Sequence, residues 1–344
     1  MKVLVTGGAG FVGSHVAEFF AKKGDEVVVY DNLSRAKLLN KPDKNAMYNW
    51  NFLKQFKNVK HIKANILNSK KLEAATKGAD VIVHTAAQTA VTTSVKDPKP
   101  DFEANAIGTF NVLEAARKNN VQQVLYCSTN KVFGENVNKI KVQAKGSRYV
   151  FDPKFKLGIP ETYDIDLNEH TPYGCSKLTG DLYVQDYAHL YGIKTGVFRM
   201  SCIYGTRQFG VEDQGWVAWF TIATVLGKPI TIYGDGKQVR DVLYVTDLVA
   251  IFNSFINSKL KHGVFNTGGG HKNTLSLLEL LGLLKEFTGK TSPLSFDQWR
   301  PSDQKVYISD ISNAKKALGW SPQTTPRQGV ENLVEWVIEN KSIF

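Results

Sequence analysis

Tyr173 and Lys177 in "YGCSK" stand four residues apart, and in a periodic segment that reads as a helix they share one face. A phenol ionises only near pH 10 or so, which makes it a poor base unless a neighbouring ammonium and a second cation in a closed site favour the phenolate. Bringing it to neutrality takes about three pH units, roughly 4 kcal/mol. A phenolate so activated takes a proton from an alcohol as a hydride leaves for a nicotinamide. A hydroxyl able to orient that alcohol is found at Thr129, beside Ser128, where the strand-like "QQVLYCST" breaks into "NKVFG". Asn130 and Lys131 follow, an amide and an ammonium where an acid–base mechanism would want carboxylates.

That chemistry needs a dinucleotide, and the first residues have the pattern to hold one. In "VTGGAGFVGS", Gly8, Gly10 and Gly13 fit G-x-G-x-x-G, while Gly7, Gly10 and Gly13 equally fit G-x-x-G-x-x-G. Both spacings let backbone N–H groups at a helix start approach a pyrophosphate. Asp31 closes the second apolar run 21 residues after Gly10, where a carboxylate hydrogen-bonds a ribose diol and repels a 2′-phosphate. This favours NAD over NADP, with Arg35 as the nearby residue type that accommodates such a phosphate.

The elements that position these groups read as an α/β fold, a Rossmann-type doubly wound parallel sheet with a smaller C-terminal α/β substrate lobe. "KVLVT", "EVVVY", "VKHIKA", "DVIVHTA", "QQVLYCST" and "KTGVFRMS" are β-branched runs alternating with amphipathic stretches. Residues 1–200 are expected to bind NAD. Residues 201–344, with "ITIYG", "VRDVLYV" and "GVFNTGG" as short strands, are expected to form mainly the substrate lobe, interleaved with the first domain. Residues 135–172 break the alternation with a polar, Pro- and Gly-punctuated stretch, either a mobile surface insertion or a lid over the substrate. His84, ending the fourth run, reads as a packed core residue.

Composition narrows the partners. The 344 residues are 42% hydrophobic with a net charge of +11, but the basic residues are scattered without interleaved aromatics, so phosphate-bearing small molecules fit better than nucleic acid. Cys127, Cys175 and Cys202 lack any paired C-x-x-C spacing and read as reduced, buried residues, with no metal site expected. No apolar run reaches the roughly 18 residues of a membrane span, and the N-terminus reads as a strand and turn, so a cytoplasmic protein is expected.

From "VTGGAGFVGS" through "DNLS", "HTAAQ", "NAIGTFNVLEAAR", "CSTNKVFG" and "PYGCSK" to "GDGKQVRDVLYVTD" and "RPSDQ", nearly the whole chain resembles the extended short-chain dehydrogenase/reductases, the NAD-dependent epimerase/dehydratase family that acts on nucleotide-sugars. In its dehydratases an Asp-Glu pair follows the strand-5 hydroxyl and carries out water loss. Here Asn130 and Lys131 hold those places, so the resemblance implies an isomerase, a nucleotide-sugar epimerase with NAD regenerated each turnover. It implies inversion at C2 of a CDP-sugar through a transient 2-keto sugar, with C4 inversion of a UDP-hexose as the alternative and a dehydratase or an inactive NAD-binding module less favoured. It implies Thr129, Tyr173 and Lys177 as catalytic residues. Cofactor contacts are implied at Gly7, Gly10, Phe11, Val12, Gly13, Asp31, Asn32, Ser34, Arg35, Asn65, Ile66, Ala86, Ala87, Gln88, Asn105 and Ser128, besides Tyr173 and Lys177. Asn65 stands where adenine is commonly met by Asp. Substrate contacts are implied at Thr92, Ser94, Thr129, Asn130, Lys131, Arg207, Gln214, Trp216, Arg240 and Arg300. The two last grip a diphosphate or, alternatively, pair with Asp241 and Asp303, and Trp216 and Trp219 pack a nucleotide base or the core. A homodimer through helices near 101–119 and 173–191 is also implied.

Overall fold

Runs such as "VLV" and "VVV" have no polar face to turn to water, so they can only be interior strands of a sheet covered on both sides. The computed structural model, which describes residues 1–35, 43–300 and 303–344, builds that sheet. Its strands are β1 (Lys2–Thr6), β2 (Glu26–Asp31), β3 (Val59–Lys63), β4 (Val81–His84) and β5 (Gln123–Thr129), then, beyond the hairpin strands β6 (Val142–Lys145) and β7 (Arg148–Phe151), β8 (Lys194–Met200). After β9 (Cys202–Tyr204), β10 (Ile230–Tyr233) and β11 (Val239–Tyr244), the seventh member is β12 (His262–Thr267). The order is β12-β8-β5-β4-β1-β2-β3, with parallel register from β5 to β3, including Thr6 opposite His84. Chain order reverses between β1 and β4, which opens a crevice at their C-terminal ends. The run "GVFNTGG", expected in the smaller lobe, instead supplies β12 and extends this sheet beside β8.

The chain divides into two units, the first made of Met1–Thr129, Pro172–Arg199 and Ile251–Phe265. In it Leu4, Ile82, Val112, Leu113, Val124, Tyr126 and Val197 form one core, and helices Phe11–Lys22, Gly108–Lys118 and Pro172–Tyr191 cover the sheet. The periodic segment before "GTF" is not one α-helix. Pro98–Phe102 passes into a π turn, Glu103–Ile107, before the α-helix resumes at Gly108. The extra residue per turn alters which side chains face inward, and Asn105 is fully buried.

The second unit comprises Asn130–Thr171, Met200–Ala250 and Asn266–Phe344. β11 lies between β13 (Thr274–Ser276) and β15 (Val306–Tyr307) and also pairs β9, while β10 pairs β14 (Leu294–Asp297). Helix Leu277–Thr288 starts with a complete capping box of Ser276 and Glu279. Residues 135–171 are fastened within this unit. β6 and β7 form an antiparallel hairpin, and Arg148 grips Glu279 through two hydrogen bonds of 2.7 and 2.6 Å. Asn136 donates to the carbonyls of Asp164 and Asp166, and Ile159 bridges Ser309. Among the described residues no helix is long and apolar enough to cross a membrane.

Candidate active site

The turn between β1 and helix Phe11–Lys22 is made by close backbone approach. Gly7 has φ +69°, and a Cβ there would lie 2.6 Å from the Ala86 backbone nitrogen. A Cβ on Gly13 would drive into the Gly7 carbonyl, so the helix can start this near the sheet only with glycine. Gly10 is the N-cap and contributes no side-chain cap, which leaves the N–H groups of Phe11, Val12 and Gly13 directed beyond the helix end.

Beside this turn lies a cleft of about 350 Å³, entirely within the first unit. Its lining includes Gly7, Gly10, Asp31, Asn32, Ser34 and Arg35 on one side and Asn65, Ile66, Ala86, Ala87 and Gln88 on the other. Asp31 accepts from the backbone N–H of Ala9 at 3.0 Å and of Leu33 at 2.7 Å, so the carboxylate is fixed in the wall. Burial raises its pKa and these donors lower it. Asn65 accepts from Leu67 N at 3.0 Å through its amide oxygen. A glycine cradle that a Cβ would fill and an uncapped helix start supply donors suited to a dinucleotide diphosphate, and the half-buried Asp31 carboxylate supplies an acceptor suited to its ribose.

Thr129, Tyr173 and Lys177 also lie in the first unit, buried to 6%, 9% and 3% exposure. The Thr129 hydroxyl hydrogen-bonds the Tyr173 phenol in the sense that favours the phenolate, yet burial prevails and raises the phenol to about 12. The expected depression of this pKa is absent, because desolvation penalises the phenolate more than Thr129 relieves it, and the nearby Asp101 charge also raises it. Lys177 is lowered by burial to about 8. Its Nζ sits 4.1 Å from the centre of the Tyr126 ring, and the Tyr126 hydroxyl donates to the Lys177 carbonyl at 3.2 Å.

Several residues expected at ligands are committed to the scaffold. Ser128 Oγ donates to Asp181 at 2.6 Å, and the same buried carboxylate accepts Arg199 at 3.0 and 3.2 Å and Gln185 at 2.7 Å. Ser94 Oγ accepts the Tyr173 backbone N–H at 3.2 Å, satisfying a donor at the start of helix Pro172–Tyr191, while Thr92 is half-buried two residues earlier. Asn105 accepts from Gln88 N at 2.9 Å and donates to Gln88 O at 3.0 Å, tying the cleft wall to the π turn. Asp101, Asp181 and Arg199 are among the buried charges that reading the sequence missed. Of these only Asp181 had a signal, since it continues the i, i+4 series of Tyr173 and Lys177. Cys127 is buried, but Cys175 is exposed and Cys202 half-buried, because Cys175 falls on the outward side of its helix.

In the second unit, Arg240 pairs with Asp303 at 2.6 Å and Arg300 with Asp213 at 2.8 Å, so both guanidinium groups hold carboxylates. Asp241 takes no part in this. It is fully buried, accepting Ser201, Gly270 and Ser309. Arg300 also lies 4.0 Å from the Tyr233 ring centre, and Pro301 and Ser302 of the same motif lie outside the described residues. Asn130 donates to Gln304 at 3.4 Å. Lys131 has its pKa lowered first by burial and then by the Arg240 charge, with Asp303 and Glu135 opposing. Arg207 is 7% exposed with φ +59°, a left-handed backbone that a long side chain adopts only under constraint. Gln214 exchanges two 2.9 Å backbone hydrogen bonds with Val211. Trp216 donates to Cys202 Sγ at 3.2 Å, and with Trp219 it packs against the unit's core.

Residues 3–268 match the model of the NAD dependent epimerase/dehydratase family. The chain is 40% identical to the CDP-paratose 2-epimerase of Salmonella typhi over 348 aligned positions, covering 98% of this chain and 99% of that one. It is 30% identical to the UDP-glucuronate 4-epimerase of Thermodesulfobacterium geofontis, covering 98% and 96%. Among solved structures, the UDP-glucuronic acid 4-epimerase of Bacillus cereus, in complex with UDP-glucuronic acid and NAD, superposes with a TM-score of 0.83 at 28% identity, covering 100% of both chains. The UDP-glucose 4-epimerase of Thermotoga maritima with UDP-glucose gives 0.81 at 31% identity, also covering 100% of both.

Proposed function

We propose, from the premise that the chain belongs to the NAD dependent epimerase/dehydratase family and is an NAD-dependent nucleotide-sugar epimerase, that it inverts C2 of a CDP-linked deoxyhexose of the paratose/tyvelose type. The observation that carries this reading is the 40% identity to a CDP-paratose 2-epimerase over essentially both whole chains, against 30% to a UDP-glucuronate 4-epimerase over 98% of this chain and 96% of that one. Asn130 and Lys131 support it by placing no carboxylate pair after Thr129, so water loss has no general acid and base there.

Bound NAD would supply the acceptor, and then the donor, of the hydride. The chain's residues do the rest. Gly7, Gly10 and the N–H groups of Phe11, Val12 and Gly13 would hold its diphosphate, and Asp31 its adenosine ribose. Tyr173 takes the proton from the sugar hydroxyl as the C2 hydrogen departs, and the Thr129 hydroxyl steadies that oxygen. Lys177 favours the phenolate by its charge. Hydride return to the opposite face of the resulting 2-keto sugar, with Tyr173 giving its proton back, completes the inversion. Arg240 and Arg300 would exchange Asp303 and Asp213 for the substrate diphosphate, a task that suits a planar guanidinium.

C4 inversion of a UDP-hexose is the second reading, favoured by the UDP-sugar-bound neighbours. A homodimer in the cytoplasm completes the proposal. Phe102, Ile107 and Phe110 of one helical stretch and Leu182, Tyr183 and Leu190 of another leave 41–66% of their surface exposed, an apolar pair of faces suited to a second copy. The test is NMR of products formed from CDP-, UDP- and GDP-hexoses in D2O. A C2 epimer from the CDP-sugar that keeps its protium is the expected result. A C4 epimer from the UDP-sugar would overturn the choice of carbon, and deuterium washout would overturn hydride return itself.

A further inference from the structure

Asp101 is a fully buried carboxylate with no place in the cleft or in the proton transfer just described. It lies on the short helix Pro98–Phe102, and among the described residues both its hydrogen-bond partners are neutral: Ser176 Oγ donates to Oδ2, and Asn105 Nδ2 donates to Oδ1 at 3.1 Å. Asn105 Nδ2 also reaches Ser176 Oγ at 3.0 Å, so the three side chains close a ring. Ser176 stands between Tyr173 and Lys177 on their helix, and Asn105 binds both backbone groups of Gln88 in the cleft wall. A buried negative charge with only neutral donors is costly unless a cation compensates it.

Lys177, next to Ser176 on its helix, is the cation that acts on Asp101: burial raises this carboxyl, and the Ser176 hydrogen bond and the Lys177 charge lower it. The groups that act on its side chain are Cys127 on β5, Asp181 on its own helix and Asp101 on the short helix, with the Tyr126 ring of β5 beneath its Nζ and His84 on β4. His84 is lowered to about 3 and Cys127 raised to about 12, so neither is charged near neutrality. Asp181 is already paired with the buried Arg199. Asp101 is therefore the carboxylate without another ionic partner among those facing Lys177.

We propose that Asp101 is a positioning residue, which through Ser176 and Asn105 sets the Tyr173–Lys177 turn against the cleft wall and adds a buried negative charge that favours the protonated Lys177. The inference rests on the reading of Tyr173 and Lys177 as the proton-transfer pair.

Its test is the titration of Lys177 in the NAD-loaded enzyme, followed by 13Cε-lysine NMR with Lys177→Met for assignment, alongside kcat and KM from pH 6 to 10. Asp101→Asn, close in shape and uncharged, is expected to move the Lys177 midpoint and the alkaline limb of kcat down by about one unit, tenfold in proton concentration, with KM little changed. Ser176→Ala, which keeps the charge, should leave the midpoint within a few tenths of a unit. Asp101→Ser provides a second uncharged side chain if the amide does not fold. A folded uncharged variant with an unmoved midpoint overturns the inference. Wild-type turnover in Tyr173→Phe would instead overturn the underlying reading, and the NMR midpoint would still report on Asp101.

Discussion

The Thr129 hydroxyl hydrogen-bonds the Tyr173 phenol, joining the last residue of β5 to the first turn of helix Pro172–Tyr191. The bond favours the phenolate while burial disfavours it, so in the proposed role as base Tyr173 would be oriented by Thr129 and would need a further cation to ionise. Thr129→Val keeps the shape and removes the donor. A hydrogen bond to a charged group contributes roughly 1.5–3 kcal/mol, which predicts a kcat about 10- to 100-fold lower with KM little changed. Steady-state kinetics would check this, with Thr129→Ser restoring most of the rate. Equal loss in the serine variant would point to packing and not to the hydroxyl.

Tyr173→Phe is expected to retain bound NAD and to lose roughly 100- to 10,000-fold in kcat, the usual contribution of a general base. Cofactor content after gel filtration and turnover are the two measurements. Loss of NAD along with activity would assign the phenol to cofactor binding.

Glycine positions of the same composition should behave in opposite ways. Gly13→Ala sets a methyl group against the Gly7 carbonyl, a backbone atom that cannot yield without moving the whole turn. Bound NAD should fall to a small fraction of wild type. Gly282, exposed within helix Leu277–Thr288, has nothing within 4 Å of an added Cβ, and Gly282→Ala should stabilise by about 0.5–1 kcal/mol. Denaturant melts and cofactor content of the two variants would show whether space or glycine itself decides.

What could be read from the sequence was whatever depends on local pattern. Strands β1 to β5 and the "YGCSK" helix follow from side-chain periodicity, and the Gly7, Gly10, Gly13 and Asp31 series from backbone geometry and ribose chemistry. Pairings across long separations leave no such trace. Asp101 meets Ser176 and Arg199 meets Asp181 only because the sheet brings distant segments together, and "GVFNTGG" joins the main sheet although 61 residues separate β12 from the end of β8. The β6–β7 hairpin escaped notice because "VQAKGSRYVF" lacks a clean apolar alternation. Its fastening through Arg148 and Glu279 is a tertiary contact.

The Arg199–Asp181 pair, 6% and 0% exposed, should be expensive to break and cheap to replace. Arg199→Met leaves the buried carboxylate, among the described residues, with only Ser128 and Gln185 as hydrogen-bond donors and is expected to cost roughly 3–5 kcal/mol in urea unfolding. Arg199→Met with Asp181→Leu should recover much of that. No recovery would show that the carboxylate serves the Ser128 strand end more than it balances the arginine.

His84 sets the acid side of stability. Thr109 Oγ1 donates to the Asn105 carbonyl at 2.6 Å, so it accepts from His84 Nε2 at 3.0 Å, which leaves Nδ1 to accept the Thr6 hydroxyl at 2.7 Å. The ring is therefore neutral, and burial lowers its pKa to about 3 from 6.5. Between those values the unfolded chain binds a proton that the folded chain refuses, so stability increases with pH across that window and is lost as pH falls from 6.5 toward 3. The loss from this one group approaches roughly 1.4 kcal/mol per pH unit. His84→Gln removes the titration, and its urea-unfolding free energy between about pH 4 and pH 6 should slope less than that of wild type by close to one proton. Parallel slopes would mean that the ring takes up its proton equally in both states, and that its two threonine contacts do not hold it neutral.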